Sequence, residues 1–170
     1  MADIRIERPG DAAAIRIVNE KAFGQSAEAN IVDSLRENCR DALSFVATQN
    51  GQIVGHILFT PVTVQTGSMA TGMGLAPMAV LPEYQRRGIG IQLVESGLQS
   101  LHERSCPFVI VIGHPEYYPR FGFIPASKLG LRCQWDGVPD EAFMVLVLDD
   151  EAMVDVAGDV RYRSEFDEAI

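Results

Sequence analysis

Leu75-Ala76-Pro77-Met78-Ala79-Val80-Leu81-Pro82-Glu83-Tyr84-Gln85-Arg86-Arg87-Gly88-Ile89-Gly90 is the stretch whose reading decides the fold. Its first half is apolar and reads as a strand that ends in a Pro-bounded turn. Gly88 and Gly90 then open an amphipathic helix that reaches to about Arg104. A helix start leaves backbone N–H groups without helical partners and carries the positive end of the helix dipole. Glycine lets a ligand approach the backbone, and Arg86 and Arg87 add full positive charge beside it. The turn therefore favours a phosphate or pyrophosphate. A dinucleotide fingerprint does not fit, because Leu93 stands where its third glycine belongs, and the Gly-Lys-Ser/Thr of a Walker A loop is absent.

Outward from this turn, Ile91, Val94, Leu98 and Leu101 form one stripe of the helix, opposite Gln92, Glu95, Gln99 and Glu103. That pattern predicts one face packed on a sheet. The unbroken apolar run Phe108–Ile112 suits a strand covered on both faces. Strand, helix and strand over residues 73–112 make a right-handed βαβ unit with two parallel strands.

Towards the N-terminus, Ile4 and Ile6 alternate as a strand should, and Pro9-Gly10 breaks it. Asp11 is positioned to cap a helix over 12–23 with Ile15, Val18 and Ala22 on its stripe; Ser26 can cap a second, Ala27 to about Asn38. Leu43–Thr48 and Gln52–Gln65 are strands joined by Asn50-Gly51, a strong hairpin signal. Pro61 implies a bulge, bend or edge within the second, and residues 66–72 read as a small-residue turn. Beyond the βαβ unit, Phe143–Leu148 is a strand, and residues 123–131 have room for another short one.

At 170 residues the chain has the length of one domain, and 47% hydrophobic content supports a core. Its apolar runs are too short to cross a bilayer, and Met1-Ala2-Asp3-Ile4-Arg5 lacks an apolar signal core. The expectation is a cytoplasmic single domain, residues 1–170, without membrane partners. Cys39, Cys106 and Cys133 are odd in number and widely spaced, so neither a disulfide framework nor a metal site is expected. The net charge is -9, and residues 149–170 carry eight acids against two arginines. No nucleic-acid partner is expected of so acidic a chain. The acidic segment 150–170 fits a solvated, loosely ordered end, unless Val160, Tyr162 and Phe166 pin it down.

Gln85-Arg86-Arg87-Gly88-Ile89-Gly90 resembles the Gln/Arg-x-x-Gly-x-Gly/Ala motif of the Gcn5-related N-acetyltransferase (GNAT) superfamily. Tyr118-Pro119-Arg120-Phe121-Gly122-Phe123 resembles the family's Tyr-x-x-x-Gly-Phe. The longer stretches 75–82 and 113–123 are similar to bacterial acetyltransferases of the YhbS type, and the element order matches over most of the chain. The resemblance implies an α+β (mixed α/β) acetyltransferase fold, a central mixed sheet with two splayed parallel strands flanked by helices. It implies acetyl-CoA as cosubstrate, with no metal. The pyrophosphate would rest on the turn formed by Gln85, Arg86, Arg87, Gly88, Ile89 and Gly90. The pantetheine arm would pair with the backbone of Met78, Ala79 and Val80, past a splay for which Pro77 is a plausible cause.

The implied chemistry is direct attack of a neutral primary amine on the thioester in a ternary complex. A backbone N–H near Ala79 would stabilise the oxyanion, and Tyr118 would be the general acid for the departing thiolate. A second reading has Tyr118 only packing beside the cofactor; Tyr117 lines the acceptor side or packs. Histone-type members carry a glutamate base where this chain has Gly74, so no base is carried over. His56, His114 and Glu116 remain open for that role, and His102 reads as helix surface. Two further readings stand beside the enzyme: an acyl-CoA-binding module without turnover, and a transferase using another acyl donor. The sequence does not identify the acceptor, and it leaves monomer and homodimer open.

Overall fold

Asn50 and Gly51 take positive φ values of 52° and 77°, the geometry of a two-residue hairpin turn, and so set the first register of the sheet. The computed structural model describes residues 1–167. In order the chain forms β1 (Asp3–Ile6), α1 (Ala12–Phe23), α2 (Ala27–Asn38), β2 (Leu43–Gln49), β3 (Gln52–Thr66), β4 (Ser68–Val80), α3 (Ile89–Glu103), β5 (Phe108–Ile112), β6 (Ile124–Pro125), β7 (Leu131–Cys133), β8 (Phe143–Val147) and β9 (Gly158–Arg161). The strands share one mixed sheet in the order β1-β2-β3-β4-β5-β8-β6, while β9 pairs with both β3 and β7. No helix among the described residues is long and apolar enough to cross a membrane.

The chain divides into two compact units. The first comprises Met1–Phe59, Ala76–Ser100 and, among the described residues, 165–167. Within it β1, β2 and β3 pair antiparallel, with a register shift at Ala47/Thr48. The helix α1 buries Ile15, Val18 and Asn19, and α2 buries Ala29, Ile31, Val32 and Leu35. Asp11 does not cap α1 with its side chain. Its carboxylate instead receives the Arg5 guanidinium and the Arg8 N–H, each at 2.7 Å, so it closes the preceding turn. Ser26 likewise makes no side-chain cap to α2.

The buried stripe of α3 is rotated from the expected one. Ile89, Leu93, Val94 and Leu101 are its buried apolar residues, whereas Ile91 and Leu98 lie half-buried at the margin. The cause is glycine. A Cβ on Gly97 would stand 2.2 Å from Phe59 Cε2, and one on Gly55 would meet Leu93 and Ile89 at 3.1 and 3.2 Å. The helix settles where those two glycines let backbone and side chain approach.

The second unit comprises Thr60–Leu75 and Leu101–Ser164. Its β4 and β5 run parallel over Met73–Leu75 against Val109–Val111, and β5 pairs antiparallel with β8 along its whole length. Phe108 to Val111 are at most 1% exposed, as a continuous apolar run implies. Residues 66–72 are not a turn: β3 reverses at Gly67 (φ 54°), and β4 already starts at Ser68. The acidic segment forms β9 at Gly158–Arg161, with Val160, Tyr162 and Phe166 buried, and residues 168–170 lie outside the described residues. The sheet explains this, since β9 finds backbone partners at Thr63 and Val64 of β3 and along β7.

Candidate active site

The apolar β4 ends at Val80, and Pro82–Tyr84 turn the chain as a single 3-10 turn. Tyr84 donates its N–H to the Leu81 carbonyl at 2.8 Å, and Leu81 donates to Val54 of β3 at 2.8 Å. The Gln85 side-chain Nε2 donates to the Val80 carbonyl at 3.0 Å, which ties the turn back to the strand end. Arg86 then adopts φ 63° and Gly88 φ 84°. For arginine this left-handed backbone is uncommon and marks a held conformation.

The first carbonyl of α3 belongs to Gly88, which accepts from Gln92 N–H at 3.1 Å. Amides before Gln92 therefore have no helical carbonyl within reach. Arg86, Arg87 and Gly88 are exposed, Gly90 is half-buried, and a Cβ on Gly88 would meet nothing within 4 Å. Ile89 is 3% exposed, so its side chain anchors the helix start from below. The Arg87 guanidinium lies 5.5 Å above the Tyr84 ring, which steadies one cation at the rim. The turn so built is open, positively charged and rich in backbone donors. Met78, Ala79 and Val80 are the last residues of β4, which runs on past Leu75, its last rung on β5.

In the second unit Tyr118 opens the 3-10 turn Tyr118–Phe121, closed by Gly122 at φ 100°. Its ring occupies the space a side chain at Gly113 would need, since a Cβ there would stand 2.3 Å from Tyr118 Cε2. Phe123 and Tyr117 pack edge-on to it, with centroids 5.7 and 5.1 Å away. Tyr118 is 7% exposed. Burial, and then neighbouring Tyr117, push its phenol well above the ordinary value near 10. The hydroxyl is thus a proton donor at neutral pH. Tyr117 is half-buried beneath the Arg120 guanidinium, 4.5 Å from its ring.

The three residues open for a base role differ sharply. His114 and Glu116 are exposed. His56 is fully buried, with Nε2 3.0 Å from Ser44 Oγ and Nδ1 3.1 Å from Asn19 Nδ2. Burial lowers its pKa to about 4, so it is neutral and serves the packing of the first unit.

Gly74 explains its own lack of a side chain. A Cβ there would come within 2.9 Å of both Tyr162 Cε2 and Val62 Cγ1. Tyr162 is in turn flanked by Trp135, with ring centroids 5.0 Å apart. The sequence reading treated Tyr162 only as a pin for the chain end. The available signal was a glycine in the middle of an apolar strand, which marks close approach by another group.

The acetyltransferase (GNAT) domain profile matches residues 3–126. The chain is 42% identical over 164 residues to the uncharacterized N-acetyltransferase YhbS of Escherichia coli (strain K12), covering 96% of this chain and 97% of that one. The crystal structure of the Escherichia coli YhbS protein in complex with CoA superposes with a TM-score of 0.91 at 41% identity, over 98% of this chain and 92% of that one. A GNAT family acetyltransferase from Brucella melitensis in complex with acetyl-CoA gives a TM-score of 0.80 at 36% identity, over 98% of both chains. The fold and the motifs lead to one conclusion: the chain belongs to the GNAT acetyltransferase family.

Proposed function

We propose that this chain is a cytoplasmic single-domain N-acetyltransferase that moves an acetyl group from acetyl-CoA to a primary amine by direct attack in a ternary complex. The observation that carries this reading is the exposed, glycine-opened start of α3 with its two arginines. That chemistry suits a pyrophosphate, and CoA or acetyl-CoA is bound in two similar solved proteins. Gln85 to Gly90 would hold the phosphates, and the backbone of Met78 to Val80 would take the pantetheine arm as an added strand.

In the chemical step the amine nitrogen bonds to the thioester carbonyl carbon and the C–S bond breaks. The Ala79 N–H is the donor suited to the developing oxyanion. Tyr118 gives its hydroxyl proton to the departing sulfur, and the amine loses its own proton to water, since no side chain is available at Gly74. A reading without turnover, an acyl-CoA-binding module, draws on that same missing base.

The test begins with binding. Asp and Asn both tolerate a left-handed backbone, so Gly88→Asp and Gly88→Asn separate charge from strain. Calorimetry should show acetyl-CoA binding lost in Gly88→Asp and weakened in Gly88→Asn. Parental affinity in Gly88→Asp would put the phosphates elsewhere. Acetyl-CoA bound tightly but transferred to none of a broad amine panel would favour the binding module.

A further inference from the structure

From the end of β8 into β9, residues 149–159 hold five acids and no base. Two of the five have structural partners. Asp149 Oδ1 accepts the N–H groups of Glu151 and Ala152, at 3.1 and 3.3 Å, and Asp159 pairs with Arg132 at 2.8 Å. Asp150 and Asp155 form no ion pair among the described residues, and both line a cavity of about 560 Å³ within the second unit. The rest of its lining is apolar: Leu129, Val147, Met153, Val154, Val156 and Ala157. Val154 is 68% exposed, an apolar side chain left in water.

Backbone bonds hold the wall of this cavity in shape. Met153, Val154 and Val156 donate to the carbonyls of Asp150, Glu151 and Met153, at 3.2, 3.4 and 3.1 Å. Asp155 takes φ 64°, and its carbonyl accepts from Thr66 Oγ1 at 3.1 Å. At the far end Gly158 donates to the Gly130 carbonyl at 3.0 Å. The volume lies in the range of small-molecule pockets, where an apolar lining takes the body of a ligand and a few polar groups fix its orientation. None of the lining residues belongs to the Tyr118 turn or to the groups packed on its ring.

We propose that this cavity binds a small apolar ammonium ion, its alkyl chain on the apolar wall and its cationic head on Asp150 and Asp155. Charge complementarity selects the occupant. An anion would meet two carboxylates with no cation beside them, and a neutral ligand would leave both without a partner. Exposed carboxylates add only modest attraction, about fivefold in affinity. Each CH2 taken out of water adds roughly two- to fourfold. The inference stands apart from the cofactor reading, since no lining residue comes from the start of α3.

The probes are butyl-, hexyl- and octylammonium, with hexanol as the neutral counterpart, titrated into the full chain without acetyl-CoA so that nothing is transferred. The readout is the Met153 methyl signal of protein labelled at its methionine methyl groups, identified by its loss in Met153→Leu. Hexylammonium should shift that signal saturably, with Kd falling roughly two- to fourfold per added CH2 along the series. Hexanol should bind about fivefold more weakly at low salt. Asp150→Asn combined with Asp155→Asn should lower hexylammonium to the hexanol affinity and leave hexanol unchanged, which also shows that the variant folds. A Met153 signal unmoved by any of the amines at millimolar concentration overturns the proposal. So does hexanol binding as tightly as hexylammonium, or a double variant that keeps the parental preference. Should the double variant fail to fold, the two single variants take its place, and an undiminished preference in both overturns the proposal. Acetyl-CoA binding enters none of these outcomes, so failure here leaves the cofactor reading to its own test.

Discussion

In its proposed role Tyr118 couples two demands on one side chain, that it be buried and that it be able to give up a proton. Its ring is fixed by Gly113 beneath it and Phe123 beside it, and burial keeps the hydroxyl protonated. A phenol that weakly acidic transfers its proton only as charge develops on sulfur, which requires close and lasting placement. Tyr118→Phe preserves the ring contacts and removes the proton. It should lower kcat by roughly 10²-fold or more, the range for a lost general acid, and leave acetyl-CoA affinity nearly unchanged. Steady-state kinetics with calorimetry would check both halves. Full kcat in Tyr118→Phe together with a loss in Tyr117→Phe would move the acid to the neighbour. Tyr118 was singled out in the sequence by the short motif that surrounds it. The partnership of Gly74 with Tyr162 was not, because no local spacing rule links a mid-sheet glycine to a residue near the chain end.

The element on which the cofactor proposal rests is the start of α3. Its sequence signature was readable because the chemistry there is backbone chemistry, and backbone chemistry needs glycines at fixed places. The bounds of α1, α2 and β5 were readable for similar reasons, since breakers and apolar runs mark them. The buried face of α3 was misjudged because hydrophobic periodicity ignores Gly97 and Gly55, where the approach is closest. β9 escaped because its charge pattern resembles a solvated tail, although its pairing partners lie in β3 and β7. Arg86 and Arg87 are exposed, and the proposal assigns their charges to a ligand rather than to the core. Replacing both with Gln should weaken CoA binding roughly tenfold at low salt and flatten its salt dependence. The unliganded Tm should shift little, as exposed substitutions usually do. A large drop in that Tm would assign the arginines to the fold instead.

Across the whole molecule, the net charge of -9 and the buried polar chain of the first unit make opposing demands as pH falls. Protonating surface carboxylates relieves mutual repulsion, but exposed charges are screened and each contributes little. The buried chain is different. Asn19 Nδ2 donates to the Ile15 carbonyl and faces His56 Nδ1, which leaves the ring proton on Nε2, towards Ser44. Ser44 donates to Glu7 at 2.7 Å, and Arg36 closes the chain on Glu7 at 2.8 Å. His56 has a folded pKa of about 4, below its ordinary 6.5, because burial disfavours the charged ring. The unfolded chain therefore binds the extra proton first as pH falls. Stability drops between pH 6.5 and about 4, by as much as about 3 kcal/mol. Burial alone would raise the Glu7 carboxyl, but its hydrogen bonds from Arg36 and Ser44 outweigh this and hold it below the usual carboxylate range. That contribution is lost only on further acidification, as pH falls through the lowered value. Urea unfolding at 0.2 M salt should thus show a midpoint that declines from pH 6.5 to 4. A His56→Gln variant should start less stable at pH 7 and decline less steeply. If parent and variant lose stability in parallel over that window, the buried histidine is not the acid-sensitive group, and the surface carboxylates must be.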